Sequence, residues 1–281
     1  VLWYRKDWFT EEGLSPPCTW EDLVRAATHL KTHRKQYGFG EYPVAFCGEI
    51  QGRETTTFAL LPFLWSVGGE LIVDQQVRLN SRAVQILKFL TDLVHIHQLV
   101  SPQVVEFSWD EPRRLFAAGE AAIVLGGSYE KQAIQAVSRW DEETFNARVG
   151  MLPIPAGPGG SAVTAVGGMI YAVFRQTMFP EIAVEFLKVL ASPGLMKWFC
   201  EQTGRVPSRR SVVTSMETAR CYFQCEVQKI LEHARSRPVS PHYAKVSTQF
   251  RLMVENAITR RMPATEAVRR ARDNIAAILI D

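Results

Sequence analysis

His29 and His33 stand four residues apart, the spacing that puts two imidazoles on one helix face and can hold a zinc ion. No glutamate follows the first histidine, and Lys31, Thr32, Arg34 and Lys35 surround the pair, so it reads as a solvated face. GPGGSA (Gly157–Ala162) invites a phosphate-loop reading but lacks the Gly-Lys-Ser/Thr ending that carries the lysine and the magnesium-binding hydroxyl. Gly126-Gly-Ser-Tyr-Glu130 follows a nucleophile elbow until Glu130 takes the place of the last glycine. His95 and His97 are separated by one residue on a predicted helix and point away from each other. Cys221 and Cys225 share a helix face, where buried thiols packing as small hydrophobes explain them better than a metal pair. No carboxylate pair stands out from the solvated charges. No catalytic or metal constellation is expected, and no cofactor.

A different pattern does stand out. Aromatic residues adjoin glycine pairs and turns: Trp65 before Gly68–Gly69, Tyr129 after Gly126–Gly127, and Tyr243 after Pro241. Ring faces at loop edges suit sugars, because they pack on the C–H face of a pyranose while polar groups take its hydroxyls. Trp65 lies on an apolar helix and reads equally well as core.

The elements that would position these residues are legible in outline. Val1–Tyr4 is an apolar, β-prone run that reads as the middle of a strand. Pro16–Pro17 close a first short helix, and Thr19 with Asp22 forms a capping box for a helix bearing Leu23, Ala26, Ala27 and Leu30. Further helices are predicted over Thr57–Val67, from Asn80 or Ser81, and from a second capping box at Ser108–Glu111 through Ala118. Ala121–Leu125, Arg148–Leu152 and Gly167–Phe174 read as strands, with a Pro/Gly-rich crossover between the last two. Pro180 is placed at N1 of a helix reaching Leu190. Beyond Met196 the chain reads as helical, with breaks at Gly204–Pro207 and Pro238–Pro241. The class is α/β with an all-helical end.

Composition narrows the function further. The 281 residues suffice for one large domain or two modest ones. A formal net charge of +3, from 32 basic and 29 acidic residues, is too balanced for a nucleic-acid binder. No apolar run approaches the roughly 18 residues that a membrane-spanning helix needs.

In that frame the chain resembles the family 1 extracellular solute-binding proteins, the sugar receptors of ABC importers related to maltodextrin-binding protein. The segments that carry the resemblance include WYRKDWFTEEGLSPPCTWEDL, LLPFLWSVGGEL, RRLFAAGEAAIVLGGSYE, VGMLPIPAGPGG, AVGGMIYAVF, TGRVPSR and RPVSPHYAKVS, in the family's order over most of the chain. The resemblance implies a periplasmic-binding-protein type II-like bilobal fold, here the second (C-terminal) lobe plus a remnant of the first. It places residues 1–160 and 204–281 in the second lobe and residues 162–203 in the remnant, the bulk of the first lobe being absent. Gly167–Phe174 would then be an orphaned strand with an exposed apolar face.

It also implies function: an extracytoplasmic receptor that captures a sugar or oligosaccharide by hinge closure and presents it to permease subunits, as a monomer, without chemistry. The location implied is periplasmic or extracellular, with a signal peptide or lipid-anchor cysteine upstream. Tyr129, with Ser128 before it, occupies the family's Gly-Ser-Trp motif and is the first candidate for stacking. Phe58 and Trp65 lie on the helix that often lines the cleft. Gly167 and Gly168 match the Gly-Gly whose amides face the ligand, Arg205 matches a polar contact in the Gly-x-x-Pro turn, and Tyr243 lies near the cleft. Met169 and Tyr129 each stand where tryptophan is common, which leaves the particular sugar open. The alternatives are another solute, such as a glycerol phosphodiester or a polyamine, or a thiaminase-like enzyme on the same fold, for which Cys47 is the only loop-like nucleophile.

Overall fold

The computed structural model of the chain describes residues 1–38, 40–50, 54–216 and 222–280. Cys221 lies outside the described residues; Cys225 is exposed. In chain order the elements begin with β1 (Leu2–Arg5), α1 (Lys6–Glu11), α2 (Trp20–Thr32), α3 (Arg34–Tyr37), β2 (Val44–Ala45) and α4 (Glu54–Ser66). They continue with β3 (Ile72–Val73), β4 (Gln76–Val77), α5 (Ser81–His95), α6 (Glu111–Ala117), β5 (Ile123–Leu125), α7 (Lys131–Ser138), α8 (Glu142–Arg148) and β6 (Val149–Leu152). The remainder is β7 (Thr164–Val166), α9 (Pro180–Leu190), α10 (Pro193–Thr203), α11 (Arg210–Ser215), α12 (Tyr222–Leu231), β8 (Ala234–Ser236), α13 (Tyr243–Ile258) and α14 (Ala264–Ile280).

The opening run is the heart of the main sheet, whose strand order is β2-β5-β1-β6. β1 pairs antiparallel with both β5 and β6, and β2 lies parallel to β5. Alternation along β1 splits the core into two layers. Leu2 and Tyr4 join a large cluster with α2, α4, α5, α13 and α14, while Trp3 faces Phe116, Ile134, Phe145 and Phe223. Trp3 stacks on Phe223 and meets Phe145 edge-on, each at 6.0 Å between centroids. Arg5 is buried at the end of the strand because both ends of its fork are used. It donates twice to Asp7, at 2.8 and 2.6 Å, and lies over the Trp8 ring.

Local signals fix most helix starts. Thr19 Oγ1 accepts from the Asp22 amide while the Asp22 carboxylate accepts from the Thr19 amide, completing the capping box of α2. Asn80 caps α5 through the Arg82 amide, and Pro180 opens α9 at its first position. α4 ends where Gly68 takes φ +70°, a conformation that glycine adopts without strain.

The exposed Cys225 is not the buried thiol expected, β8 interrupts the end predicted to be all helical, and two further expectations fail. The Ser108–Glu111 capping box does not form: α6 begins at Glu111, Ser108 offers it only a backbone carbonyl, and the Asp110 carboxylate pairs with Arg113 instead of capping. Gly167–Phe174 is not a strand. The ladder lies just before it, where β7 pairs in parallel with β8, an element that the polar Ala-Arg-Ser stretch concealed. Strand propensity needs a neighbour to hydrogen-bond with, and none lies beside 167–174 among the described residues. Its apolar side chains are bare, Ile170 at 89% and Phe174 at 73% exposure. α9 continues the pattern: Ile182, Phe186 and Val189 form a stripe at helical spacing, yet the helix buries no residue.

Candidate functional site

Three segments distant in sequence converge at an open concavity: the start of α4, the turn after β5, and the stretch running out of β7. Phe58 and Glu54 line it from α4, Tyr129 from the turn, and Gly167, Gly168 and Met169 from the last segment. Arg205 and Arg237 complete the wall. Five of the residues singled out in sequence (Phe58, Tyr129, Gly167, Gly168 and Arg205) thus share one surface. Tyr243 lines an adjoining hollow with Val166 and Pro238, and Glu54 and Arg237 belong to both.

Trp65 does not line either hollow. It is buried at 3% exposure among the core side chains, with the Arg235 guanidinium 5.2 Å from its ring centroid. Ser128 begins the short 3-10 turn that carries Tyr129 and is half-buried, but it is not in the wall.

The turn is shaped by its glycines. A β-carbon on Gly127 would overlap the Tyr129 ring, and one on Gly126 would overlap the Glu130 carboxylate. Bare backbone here lets the ring fold back against the loop and the carboxylate tuck beneath it. Burial pushes Glu130 up to about 7, against the opposing hydrogen bond from Gly127 and the charge of Arg113. Tyr129 is pushed up to about 12, first by burial and then by the Glu130 charge, so its hydroxyl stays protonated.

Each aromatic ring of the wall has a guanidinium near it. Arg205 lies 5.6 Å from the Tyr129 centroid and Arg237 lies 5.4 Å from that of Phe58. Arg237 is neutralised by Glu54, donating to Oε1 at 2.6 Å, and the Tyr243 hydroxyl donates to the same oxygen. Ser247 donates to Oε2 at 2.8 Å and meets Thr57 behind it. Burial is the largest single effect and would lower the Arg237 guanidinium, but the hydrogen bond and charge of Glu54, with those of Tyr243, together outweigh it and hold the group above its usual range. Burial and the Glu54 hydrogen bond push the Tyr243 hydroxyl up as well. Arg205 has no ion-pair partner among the described residues.

Glu54 and Arg237 escape a sequence reading. RPVSPHYAKVS begins at Arg237, but nothing in its spacing announces a carboxylate 183 residues away. Cys47 is close by in sequence, yet it is buried, 3.1 Å from Thr56 Oγ1, and burial pushes its thiol up. A reactive thiolate needs the opposite shift.

The α/β body thus opens aromatic rings, guanidinium groups and bare glycine backbone onto a shared hollow. The family model for bacterial extracellular solute-binding proteins matches residues 1–197, and the chain belongs to that family. A probable ABC transporter-binding protein of Deinococcus radiodurans is 25% identical over 289 residues, which cover 99% of this chain and 66% of that protein. The maltose-bound MalE3 of T. maritima superposes with a TM-score of 0.82 at 26% identity, covering 99% of this chain and 69% of that one. An ABC transporter solute-binding protein from Thermotoga lettingae, bound with α-D-tagatose, gives 0.85 at 24% identity, covering 99% and 70%. The fold is that of the bilobal periplasmic binding proteins, and the chain spans 45–66% of the length of the curated relatives that it matches. No helix among the described residues is long and apolar enough to cross a membrane.

Proposed function

We propose that this chain supplies one side of a carbohydrate-binding cleft in the extracytoplasmic receptor of an ABC importer. The observation that carries the reading is the shared hollow between the Phe58 and Tyr129 rings, floored by Gly167 and Gly168 and flanked by Arg205 and Arg237. Ring faces would stack on a pyranose, backbone amides and guanidinium groups would take its hydroxyls, and Met169 would add apolar contact. The maltose and tagatose bound by the two similar structures support a sugar.

On this reading residues 1–160 and 204–281 form the second lobe, and residues 162–203 reach toward a first. The bare stripe of α9 and the exposed run at Ile170–Phe174 are the surface that a first lobe would cover. Closure of two lobes on the sugar would create the shape that permease subunits recognise, because only differential affinity for the closed form shifts the equilibrium. The receptor works outside the cytoplasmic membrane, held by a lipid anchor or free, as a monomer and without covalent chemistry.

Saturation-transfer NMR of the chain with maltose, tagatose and a glycerol phosphodiester tests the assignment, since it detects the weak binding of a half-site. Transfer to the C–H protons of a sugar, lost in Tyr129→Ala, is the expected result. Transfer to the phosphodiester alone, through the unpaired Arg205, would replace sugar with an anionic solute. No transfer to any of the three would remove the hollow as a solute site.

A further inference from the structure

The histidine pair dismissed in the sequence acquires a third member in the fold. The turn at Gly13, with φ +63°, brings the end of α1 back against α2. Glu12 Oε2 then lies 2.6 Å from His29 Nε2 and 3.9 Å from His33 Nδ1. The two imidazoles are stacked at 4.4 Å, and the three ligand atoms lie within 4.8 Å of one another. Charged neighbours made the pair look solvated, but they say nothing about the carboxylate that arrives from α1, seventeen residues before His29.

We propose that Glu12, His29 and His33 form a binding site for a divalent transition-metal ion of the zinc type. Two imidazoles and a carboxylate are a ligand set that zinc accepts, with water in the fourth position. Metal–ligand bonds of about 2.0–2.2 Å put tetrahedral ligand atoms roughly 3.3 Å apart. The His29–Glu12 pair therefore has to open from 2.6 Å and the His33–Glu12 pair to close from 3.9 Å. The two imidazole nitrogens, within 4.8 Å of each other, come to the same separation of roughly 3.3 Å. These movements are available. His29 and His33 are partly exposed side chains at the end of α2, and His33 exchanges its Nδ1 hydrogen bonds to Thr32 Oγ1 and the His29 carbonyl, both 3.0 Å, for the metal by carrying its proton on Nε2 instead.

The carboxylate, by contrast, is held in place. Glu12 is the least exposed of the three at 12%, and its other oxygen, Oε1, accepts from the Tyr37 hydroxyl at 2.7 Å. Tyr37 is itself stacked on Trp8 at 4.9 Å. An outer hydrogen bond that fixes a ligating carboxylate is what a metal site requires, since it leaves Oε2 aimed at the ion. The ion would tie α1, α2 and α3 together at one corner, on side chains that do not line the solute hollow.

Titration calorimetry of the chain with Zn²⁺ alone, in a buffer that does not chelate, tests the site. One-to-one binding is expected, weakened at least tenfold in His33→Ala and in Glu12→Gln. His33 is exposed enough for its replacement to leave the fold intact, which circular dichroism would verify, so the test does not depend on the half-buried glutamate. Zn²⁺ should also raise the melting temperature of the parent chain and not that of His33→Ala. With Co²⁺ as the probe, a tetrahedral visible spectrum should develop and be absent from His33→Ala. No binding, or binding unaffected by His33→Ala, would mean that the cluster is a hydrogen-bonded His–Glu pair and nothing more.

Discussion

Arg237 donates from Nη1 to Glu54 Oε1 at 2.6 Å, joining the strand-to-helix turn after β8 to the first residue of α4. The bond does more than neutralise a guanidinium. Glu54 also accepts from Tyr243 and from the buried Ser247, so one carboxylate satisfies three donors behind the solute hollow. Glu54→Ala would take the acceptor from the Tyr243 hydroxyl and from a partly buried guanidinium, while Ser247 would keep Thr57 as a partner. The expected loss is about 1–3 kcal/mol of stability, measured as a shift in the urea midpoint. A midpoint unchanged within error would mean that water replaces the carboxylate without cost.

Tyr129 is over a third exposed, and its ring sits against the Gly127 backbone without contributing to either core cluster. Tyr129→Ala should therefore leave stability within roughly 0.5 kcal/mol of the parent. Its effect on sugar binding should be larger, a weakening of about 1–3 kcal/mol, the order of one aromatic stacking contact. Tyr129→Phe should keep most of the affinity, because the ring face carries the contact. Affinities that fall equally in both variants would assign the role to the hydroxyl instead.

Glu130 links this turn to pH. Burial raises its carboxyl to about 7, whereas the ordinary glutamate value is 4.5. Between those values the folded protein holds a proton that the unfolded chain has released. Stability from this group is therefore fully present below the ordinary value and is lost as pH rises toward 7, by roughly 3 kcal/mol at most. Glu130→Gln should flatten that decline in a series of urea titrations from pH 4.5 to 7.5. A parent chain whose stability rises over the same range would show that another group dominates.

Which of these features could be read beforehand depended on the range of the interaction behind each. The Thr19–Asp22 box, the Asn80 cap and the proline opening α9 are made by residues within one helical turn, so their spacing announces them. Phe58, Tyr129 and Arg205 could be named, but only the fold puts them on one surface. Glu54 with Arg237, and Glu12 with the two histidines, join residues whose proximity is set by tertiary packing, and spacing is silent about both. The missed strand β8 is a case of the same kind, since a three-residue polar segment becomes a strand only because β7 lies beside it. Gly167–Phe174 is the converse, a segment with every local mark of a strand and no partner strand among the described residues.

That unpartnered surface allows a last test of how the chain is organised. α9 buries no residue, and Ile182 and Phe186 are 68% and 61% exposed, so neither side chain stabilises the chain on its own. Replacing both with serine should change the urea midpoint by no more than about 0.5 kcal/mol. The same change should reduce self-association, read as light scattering against concentration, because a contiguous apolar face is an aggregation surface. In a protein in which a first lobe covers this face, the pair should matter a great deal. Each buried side chain of this size contributes about 1.5–3 kcal/mol, so the double variant should destabilise such an assembly by several kcal/mol. A large loss of stability in the chain by itself would show that α9 packs against the second lobe, and the division proposed at residues 162–203 would have to be redrawn.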